Sequence, residues 1–130
     1  MSELEDLARN AVDCGFRIHK ALGPGLLETV YEALLAECLS RSGVRVERQK
    51  PLPISFEGVS LAEGYRVDLL LNAKLIIEVK SVERIAPVHG KQLLTYLRLA
   101  EQPLGLLMNF GCETFREGVR RVANNYNFAP

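Results

Sequence analysis

The sequence predicts an α/β fold in which a mixed central sheet is flanked by helices. Three observations support this prediction: apolar residues at helical spacing early in the chain, strand-like alternation in the middle, and a helical segment between two apolar strands later on. A strand, a helix and a second strand in this order form a parallel, right-handed βαβ unit. The 130 residues fit one domain, residues 1–130, with a core of its own.

Two helices open the chain. Apolar side chains at helical spacing predict an amphipathic helix over residues 3–22, which Gly23-Pro24-Gly25 ends. A second apolar stripe begins at Leu27 and predicts another helix, and a glycine further on provides its C-terminal stop.

Strands follow. Val44 and Val46 alternate with charged residues, and alternation resumes over residues 52–56 before a Glu57-Gly58 turn.

The next two strands carry the most apolar sequence in the chain. Residues 65–71 and 75–82 are nearly continuous in apolar character, which is typical of strands buried on both faces. The three residues between them, Asn72-Ala73-Lys74, predict a hairpin loop.

The last part of the chain predicts a helix, a strand and a closing helix. Residues 87–101 carry a mainly apolar helical face, and residues 104–110 form a buried strand. Apolar residues at spacings of three and four predict the closing helix, and these are Phe115, Val119, Val122 and Ala123. The predicted order is therefore α-α-β-β-β-α-β-α.

Composition argues against several classes of protein. Sixteen basic residues balance sixteen acidic ones, whereas a dedicated nucleic-acid coat protein is usually basic. Cys14, Cys38 and Cys112 lack the spacing of a zinc site and are odd in number, so we expect free thiols in a reducing compartment. The acidic start of the chain lacks the apolar run of a signal peptide, so we expect none, and no apolar run is long enough to span a membrane. We therefore expect a cytoplasmic protein with no membrane partner.

Charged residues interrupt the two most apolar strands. Asp68 lies in the first of them, and Glu78 and Lys80 lie in the second, on one face because they are two residues apart. If the three-residue loop pairs residue 71 with residue 75, then Asp68 lies opposite Glu78. Two carboxylates in that position repel each other unless a cation lies between them. Oxygen ligands without histidine or thiol favour Mg²⁺ or Mn²⁺.

A structural explanation is also open at this point. Lys80 could form a buried ion pair with Glu78 or Asp68 that only stabilises the sheet. A two-residue loop would turn Asp68 to the other face and weaken the argument for a cation site.

Four motifs, taken in their order along the chain, resemble those of the PD-(D/E)XK nuclease superfamily. The core of that superfamily is restriction-endonuclease-like, with the element order αβββαβ. Asp68 is followed ten residues later by Glu78-Val79-Lys80. The segment from Gly25 to Tyr31 is similar to the GxxExxY signature of one branch, and the segment from Gln92 to Tyr96 is similar to the QxxxY motif of RecB-like nucleases. The proline of the superfamily's name is replaced by valine at position 67.

The resemblance implies roles for particular residues. Glu28 would join Asp68 and Glu78 as metal ligands, together with the backbone carbonyl of Val79. The metal would lower the pKa of a bound water, and Lys80 would orient that water or stabilise the transition state.

Gln92 is the remaining catalytic candidate. Tyr96 and His19 are the candidates for substrate binding. Tyr96 lies four residues after Gln92, on the same helix face, and the alternative for it is a half-buried core aromatic. His19 is positioned to approach Glu28 across the Gly-Pro-Gly break, and the alternative is a histidine without a role.

The implied function is metal-dependent hydrolysis of phosphodiester bonds in nucleic acid, with DNA favoured over RNA. A non-catalytic module that binds nucleic acid or a protein is the alternative. Because a chain of this length has little surface for gripping a duplex, we also expect a homodimer or a place in a larger nucleic-acid-processing assembly.

Overall fold

A computed structural model describes residues 2–126. The elements are α1 Glu3–Leu22, α2 Glu28–Arg41, β1 Val46–Phe56, β2 Val59–Leu71, β3 Leu75–Lys80, α3 Pro87–Ala100, β4 Leu104–Asn109, α4 Phe115–Gly118 and β5 Val119–Ala123. The five strands form one mixed sheet in the order β1-β2-β3-β4-β5. Both the α/β class and the helices that flank a mixed sheet are as predicted.

The sheet is antiparallel except at its centre. β3 and β4 pair in parallel, and α3 connects them, so the predicted parallel pairing of the βαβ unit is confirmed. Every other neighbouring pair is antiparallel.

Two cores cover the two faces of the sheet. The larger core lies under α1 and α2 and includes Leu35, Leu69 and Ile77. The smaller core lies under α3 and includes Ile76 and Leu97. Burial on both faces explains why β3 is nearly continuous in apolar residues.

Local chemistry defines the ends of the first two helices. The hydroxyl of Ser2 accepts a hydrogen bond from the backbone N–H of Glu5 at 3.1 Å and caps the start of α1. Gly23 ends the helix with a left-handed φ of 74°. The Tyr31 hydroxyl then donates to the Gly23 carbonyl at 2.5 Å and accepts from the N–H of Leu26 at 3.2 Å. This tyrosine is therefore a buried link that holds the loop between α1 and α2.

The predicted closing helix is wrong after its first turn. Only Phe115–Gly118 is helical, and the chain then continues as β5 along the edge of β4. Val119 packs against the larger core and Val122 against the smaller one, on opposite faces. A spacing of three therefore arises here from a strand with two covered faces, and β-branched residues favour that strand.

No helix within residues 2–126 is both long enough and apolar enough to cross a membrane.

Two glycines give a matched test of the packing at this corner. A Cβ at Gly118 would collide with the backbone carbonyl oxygen of Asn109, whereas a Cβ at Gly90, inside α3, would meet nothing within 4 Å. We expect Gly118→Ala to lower the free energy of unfolding by about 1–3 kcal/mol, because backbone must move. Gly90→Ala should raise it by roughly 0.5–1 kcal/mol, because alanine is the better helix former. Urea unfolding measures both values, and equal effects would contradict the close approach of the chain at Gly118.

Candidate functional site

The hairpin between β2 and β3 has the predicted three-residue loop. Asn72 and Ala73 adopt left-handed φ angles of 49° and 55°. The antiparallel pairs are Leu71 with Leu75, Leu70 with Ile76, and Leu69 with Ile77. Continuing this register by one residue places Asp68 opposite Glu78, as predicted.

β2 and β3 separate just beyond the last of these pairs. There the carboxyl groups replace the regular ladder, because the N–H of Val79 donates to Asp68 Oδ2 at 2.8 Å and the N–H of Asp68 donates to Glu78 Oε1 at 3.4 Å. β2 continues along β1, and β3 continues along β4 as far as the pair of Lys80 with Asn109. Asp68 and Glu78 thus meet where the sheet opens.

Glu78 is the more buried of the two acids, with 5% of its surface exposed. Burial, and then the neighbouring Asp68 carboxyl, raise the pKa of Glu78 to about 9. Without a cation, Glu78 therefore holds a proton at neutral pH. For both acids to ionise, the pair would need more positive charge than Lys80 supplies.

Lys80 does not supply that charge through a direct ion pair. It lies two residues from Glu78 on β3, and it only slightly opposes the rise in the pKa of Glu78. Among the ion pairs within 4.0 Å that residues 2–126 form, none joins Lys80 to Glu78 or Asp68. The structural ion pair that the sequence left open is therefore not formed.

α3 brings Tyr96 to the same opening. The ring of Tyr96 packs against that of Tyr65 with centroids 4.8 Å apart. Burial, followed by the charges of Glu78 and Asp68, raises the pKa of the Tyr96 hydroxyl, so this hydroxyl lies within electrostatic reach of both acids. Tyr96 is thus both a half-buried aromatic and a neighbour of the site. Gln92 lies one helical turn earlier and is exposed.

α2 contributes a different acid from the one expected. Glu28 is exposed at the first residue of the helix. In the part of the chain that the structure describes, no three His, Cys, Asp or Glu side chains meet in a group that could hold a metal. Glu28 therefore does not complete an acidic cluster with Asp68 and Glu78. Its place at the solvent-facing start of α2 explains this, because the buried acid of the same face, Glu32, lies one turn further along.

Glu32 reaches the site through a residue that the sequence analysis did not single out. The side-chain amide of Gln49 donates to Glu32 Oε1 at 2.6 Å and to Asp68 Oδ1 at 3.1 Å. Arg48 binds the other oxygen of Glu32, with nitrogen–oxygen distances of 3.0 and 3.2 Å. In the sequence, Gln49 shows only a polar character that it shares with its neighbours Arg48 and Lys50, so no pattern marked it as part of the site.

His19 lies elsewhere. Its Nε2 is 2.8 Å from the carbonyl oxygen of Cys112, and its ring lies 5.9 Å from that of Phe115. Among the hydrogen bonds and ion pairs of residues 2–126, none joins His19 to Glu28. With 7% of its surface exposed, the ring joins α1 to the segment after β4 and has little surface to offer a substrate.

Several arginine and lysine side chains form ion pairs with acids, which makes them less available to bind a nucleic-acid backbone. Lys50 pairs with Glu47 at 2.8 Å. Arg121 binds Glu5 through two contacts of 3.0 and 2.7 Å. Arg48 is likewise held by Glu32, and basic side chains paired with acids in this way are typical of a solvated charged surface.

The residues at the opening fit a hard divalent cation. Asp68 and Glu78 offer carboxylate oxygens, and burial followed by the neighbouring Asp68 carboxyl raises the pKa of Glu78, so a positive charge between the two acids would be favourable. Mg²⁺ binds through one or two carboxylates and keeps several water ligands, so it does not need a third protein acid. The absence of thiol and imidazole ligands from the pair also suits Mg²⁺ or Mn²⁺ better than zinc.

Comparison with known proteins agrees with this geometry. A family model described as the PD-(D/E)XK nuclease superfamily matches residues 5–122. The chain belongs to that superfamily. Curated proteins yield no match. Among solved structures, this PD-(D/E)XK chain is similar to the crystal structure of SSO0001, with a TM-score of 0.53 and 18% identity. The match covers 76% of the chain but only 50% of SSO0001, and at that identity it supports the fold alone.

The protonation of Glu78 makes the stability of this PD-(D/E)XK domain depend on pH. The pKa of Glu78 is raised from 4.5 to about 9 in the folded state, so between these values the folded chain holds a proton that the unfolded chain releases. The contribution of this proton to the free energy of unfolding is therefore complete below the unfolded pKa of 4.5. It is lost as pH rises above that value, by roughly 1 kcal/mol per pH unit. Glu78→Gln should remove this slope, because glutamine stays neutral.

Urea unfolding in the presence of a chelator, at several pH values from 5 to 8, measures how the free energy of unfolding depends on pH. Glu113→Gln, an exposed change on the segment after β4, is the control and should keep the wild-type slope. Parallel slopes for wild type and Glu78→Gln would contradict a protonated Glu78.

Proposed function

We propose that this chain is a Mg²⁺- or Mn²⁺-dependent nuclease that hydrolyses phosphodiester bonds in DNA. The observation that carries the proposal is the pair of Asp68 and Glu78 at the opening between β2 and β3, with Lys80 next to it and engaged in no ion pair with either acid. Membership of the PD-(D/E)XK superfamily supports the same class of chemistry.

The acids would hold the cation. Asp68 and Glu78 are the proposed direct ligands, and the backbone carbonyl of Val79 is a third. The bound cation would polarise the phosphate and lower the pKa of a water molecule. Before it binds, Glu78 must give up the proton that burial and Asp68 hold on it.

Lys80 would act on the water that attacks phosphorus. Because it is not paired with Asp68 or Glu78, its ammonium group is available to orient that water or to stabilise charge on the pentacoordinate phosphate. A lysine suits this role, since its charge is compact and its stem is flexible. The neighbouring strand, which pairs Asn109 with Lys80, holds the backbone of this residue in position.

Gln92 and Tyr96 would contact the substrate strand. They lie one turn apart on α3, on the side of the sheet that carries the smaller core. Tyr96 is near both acids, as the rise in the pKa of its hydroxyl indicates. The exposed amide of Gln92 can reach a phosphate or a sugar at the edge of the opening.

Cleavage assays test the proposal. Purified protein with Mg²⁺ or Mn²⁺ should cut DNA, and chelation should stop it. Lys80→Ala should lower the rate about a hundredfold or more, the scale seen when one group that stabilises transition-state charge is removed. Circular dichroism and urea unfolding should show an intact fold. Lys20→Ala, an exposed change on α1, is the control and should cut at the wild-type rate.

The remaining outcomes separate the alternatives. Equal rates for wild type and Lys80→Ala would contradict the proposed mechanism. Cleavage of RNA but not of single- or double-stranded DNA would change the substrate class and keep the chemistry. Binding of DNA with neither cleavage nor a Mn²⁺-dependent thermal shift would favour the non-catalytic module.

A further inference from the structure

Gln49 has a backbone conformation that its position does not explain. It lies inside β1 and has a φ of 50°. The left-handed region is disfavoured for residues other than glycine, and such residues persist where the surrounding structure imposes them. The register on either side is regular, since Arg48 pairs with Leu69 and Lys50 with Val67. No residue has been inserted, so this is not a bulge.

The two strands turn over at this point. Residues an even number apart in a strand normally share a face. Leu69 packs against the larger core, yet Val67, two residues away, packs against the smaller one. Val46 and Leu52 on β1 show the same exchange. Both strands change faces at the place where Gln49 lies opposite Asp68.

This conformation directs the Gln49 amide to two acids. One nitrogen donates to Glu32 Oε1 at 2.6 Å and to Asp68 Oδ1 at 3.1 Å. Glu32 has a side chain 5% exposed, and Arg48 pairs with it at 3.0 Å. Arg48 thereby balances the charge of Glu32, so that Glu32 can anchor the amide without adding an unbalanced negative charge beside Asp68.

We propose that Gln49, anchored by Glu32, is a positioning residue that orients the Asp68 carboxylate for the cation. The inference rests on the function proposed above. Gln49 holds Oδ1 of Asp68 while the N–H of Val79 holds Oδ2 at 2.8 Å, so both oxygens of the carboxylate are fixed from the protein side. Each oxygen keeps a lone pair for a metal ion. Residues of this kind around metal sites restrict ligand orientation and raise metal affinity.

The neutral amide is part of the argument. A carboxylate at position 49 would add another negative charge next to Asp68, and an ammonium group would compete with the cation for the same oxygen. An amide donates to both acids and changes the charge of neither. The strained backbone is thus retained for an interaction at the site.

Removing the side chain separates this role from a purely structural one. Gln49→Gly deletes the amide and relieves the strained φ, because glycine adopts this conformation freely. Gln49→Asn keeps an amide that is one methylene shorter and that tolerates the left-handed region. We expect both variants to bind Mn²⁺ about ten- to a hundredfold more weakly, measured by calorimetry with the full chain. Metal-free Gln49→Gly should keep a cooperative thermal transition, because relief of the strained φ offsets part of the cost of leaving Glu32 Oε1 without its amide donor.

Glu57→Gly is the matched control. Glu57 is also a non-glycine residue with a positive φ, 45°, but it is exposed at the far end of the β1–β2 hairpin. Its replacement should raise the thermal midpoint and leave Mn²⁺ affinity unchanged.

The outcomes distinguish this inference from the proposed function. Wild-type Mn²⁺ affinity in Gln49→Gly and Gln49→Asn would overturn the role of Gln49 alone. A lowered thermal midpoint with unchanged affinity would assign Gln49 to the fold instead of the site. Absence of Mn²⁺ binding by the unsubstituted chain would overturn the proposed metal site and this inference together.

Discussion

Two carboxyl groups face each other where two neighbouring strands separate, and their mutual repulsion shapes the rest of the site. Asp68 accepts a hydrogen bond from the N–H of Val79, and Glu78 accepts one from the N–H of Asp68, so the acids take over from the ladder that ends beside them. Two negative charges at this distance and burial require a proton or a cation. Burial, and then the Asp68 carboxyl, raise the pKa of Glu78, so the metal-free pair holds a proton. A divalent cation would replace the proton and allow both acids to ionise.

The sheet can open between β2 and β3 because each of these strands keeps its other neighbour. β2 remains paired with β1 from Val59 to Leu71, and β3 remains paired with β4 up to Lys80. Apolar cores on both faces hold the hairpin end of the pair, where Leu71 and Leu75 are fully buried. The separation is therefore local, and the backbone groups that it frees are met by the carboxyl groups themselves.

The sequence predicted the parts of the site that depend on local spacing. A three-residue loop sets the register of a hairpin, and that register alone aligns Asp68 with Glu78. The helix spacing of Gln92 and Tyr96 likewise follows from the period of α3. The sequence did not predict β5, because Val119 and Val122 at a spacing of three satisfy either a helix or a strand covered on both faces.

The sequence did not predict the contacts that join distant segments of the chain. Glu32 and Gln49 are 17 residues apart, and Gln49 and Asp68 are 19 apart. No local pattern marks a glutamine that adopts a positive φ, since glycine and asparagine are the residues that normally do so. The exposure of Glu28 and the burial of Glu32 depend on where α2 packs on the sheet, and both acids lie on the same helical face one turn apart.

Two features near the opening act against the stability of the metal-free fold. Glu78 is buried and must hold a proton, and Gln49 has a strained backbone. Elsewhere in the described chain, buried acids have a basic partner, as Glu5 has Arg121 and Glu32 has Arg48. Unfavourable features that cluster at one point of an otherwise well-packed domain indicate selection for something other than stability. A ligand that binds only the folded chain returns stability in proportion to its affinity. A divalent cation between Asp68 and Glu78 would do so while using the same groups that weaken the empty fold.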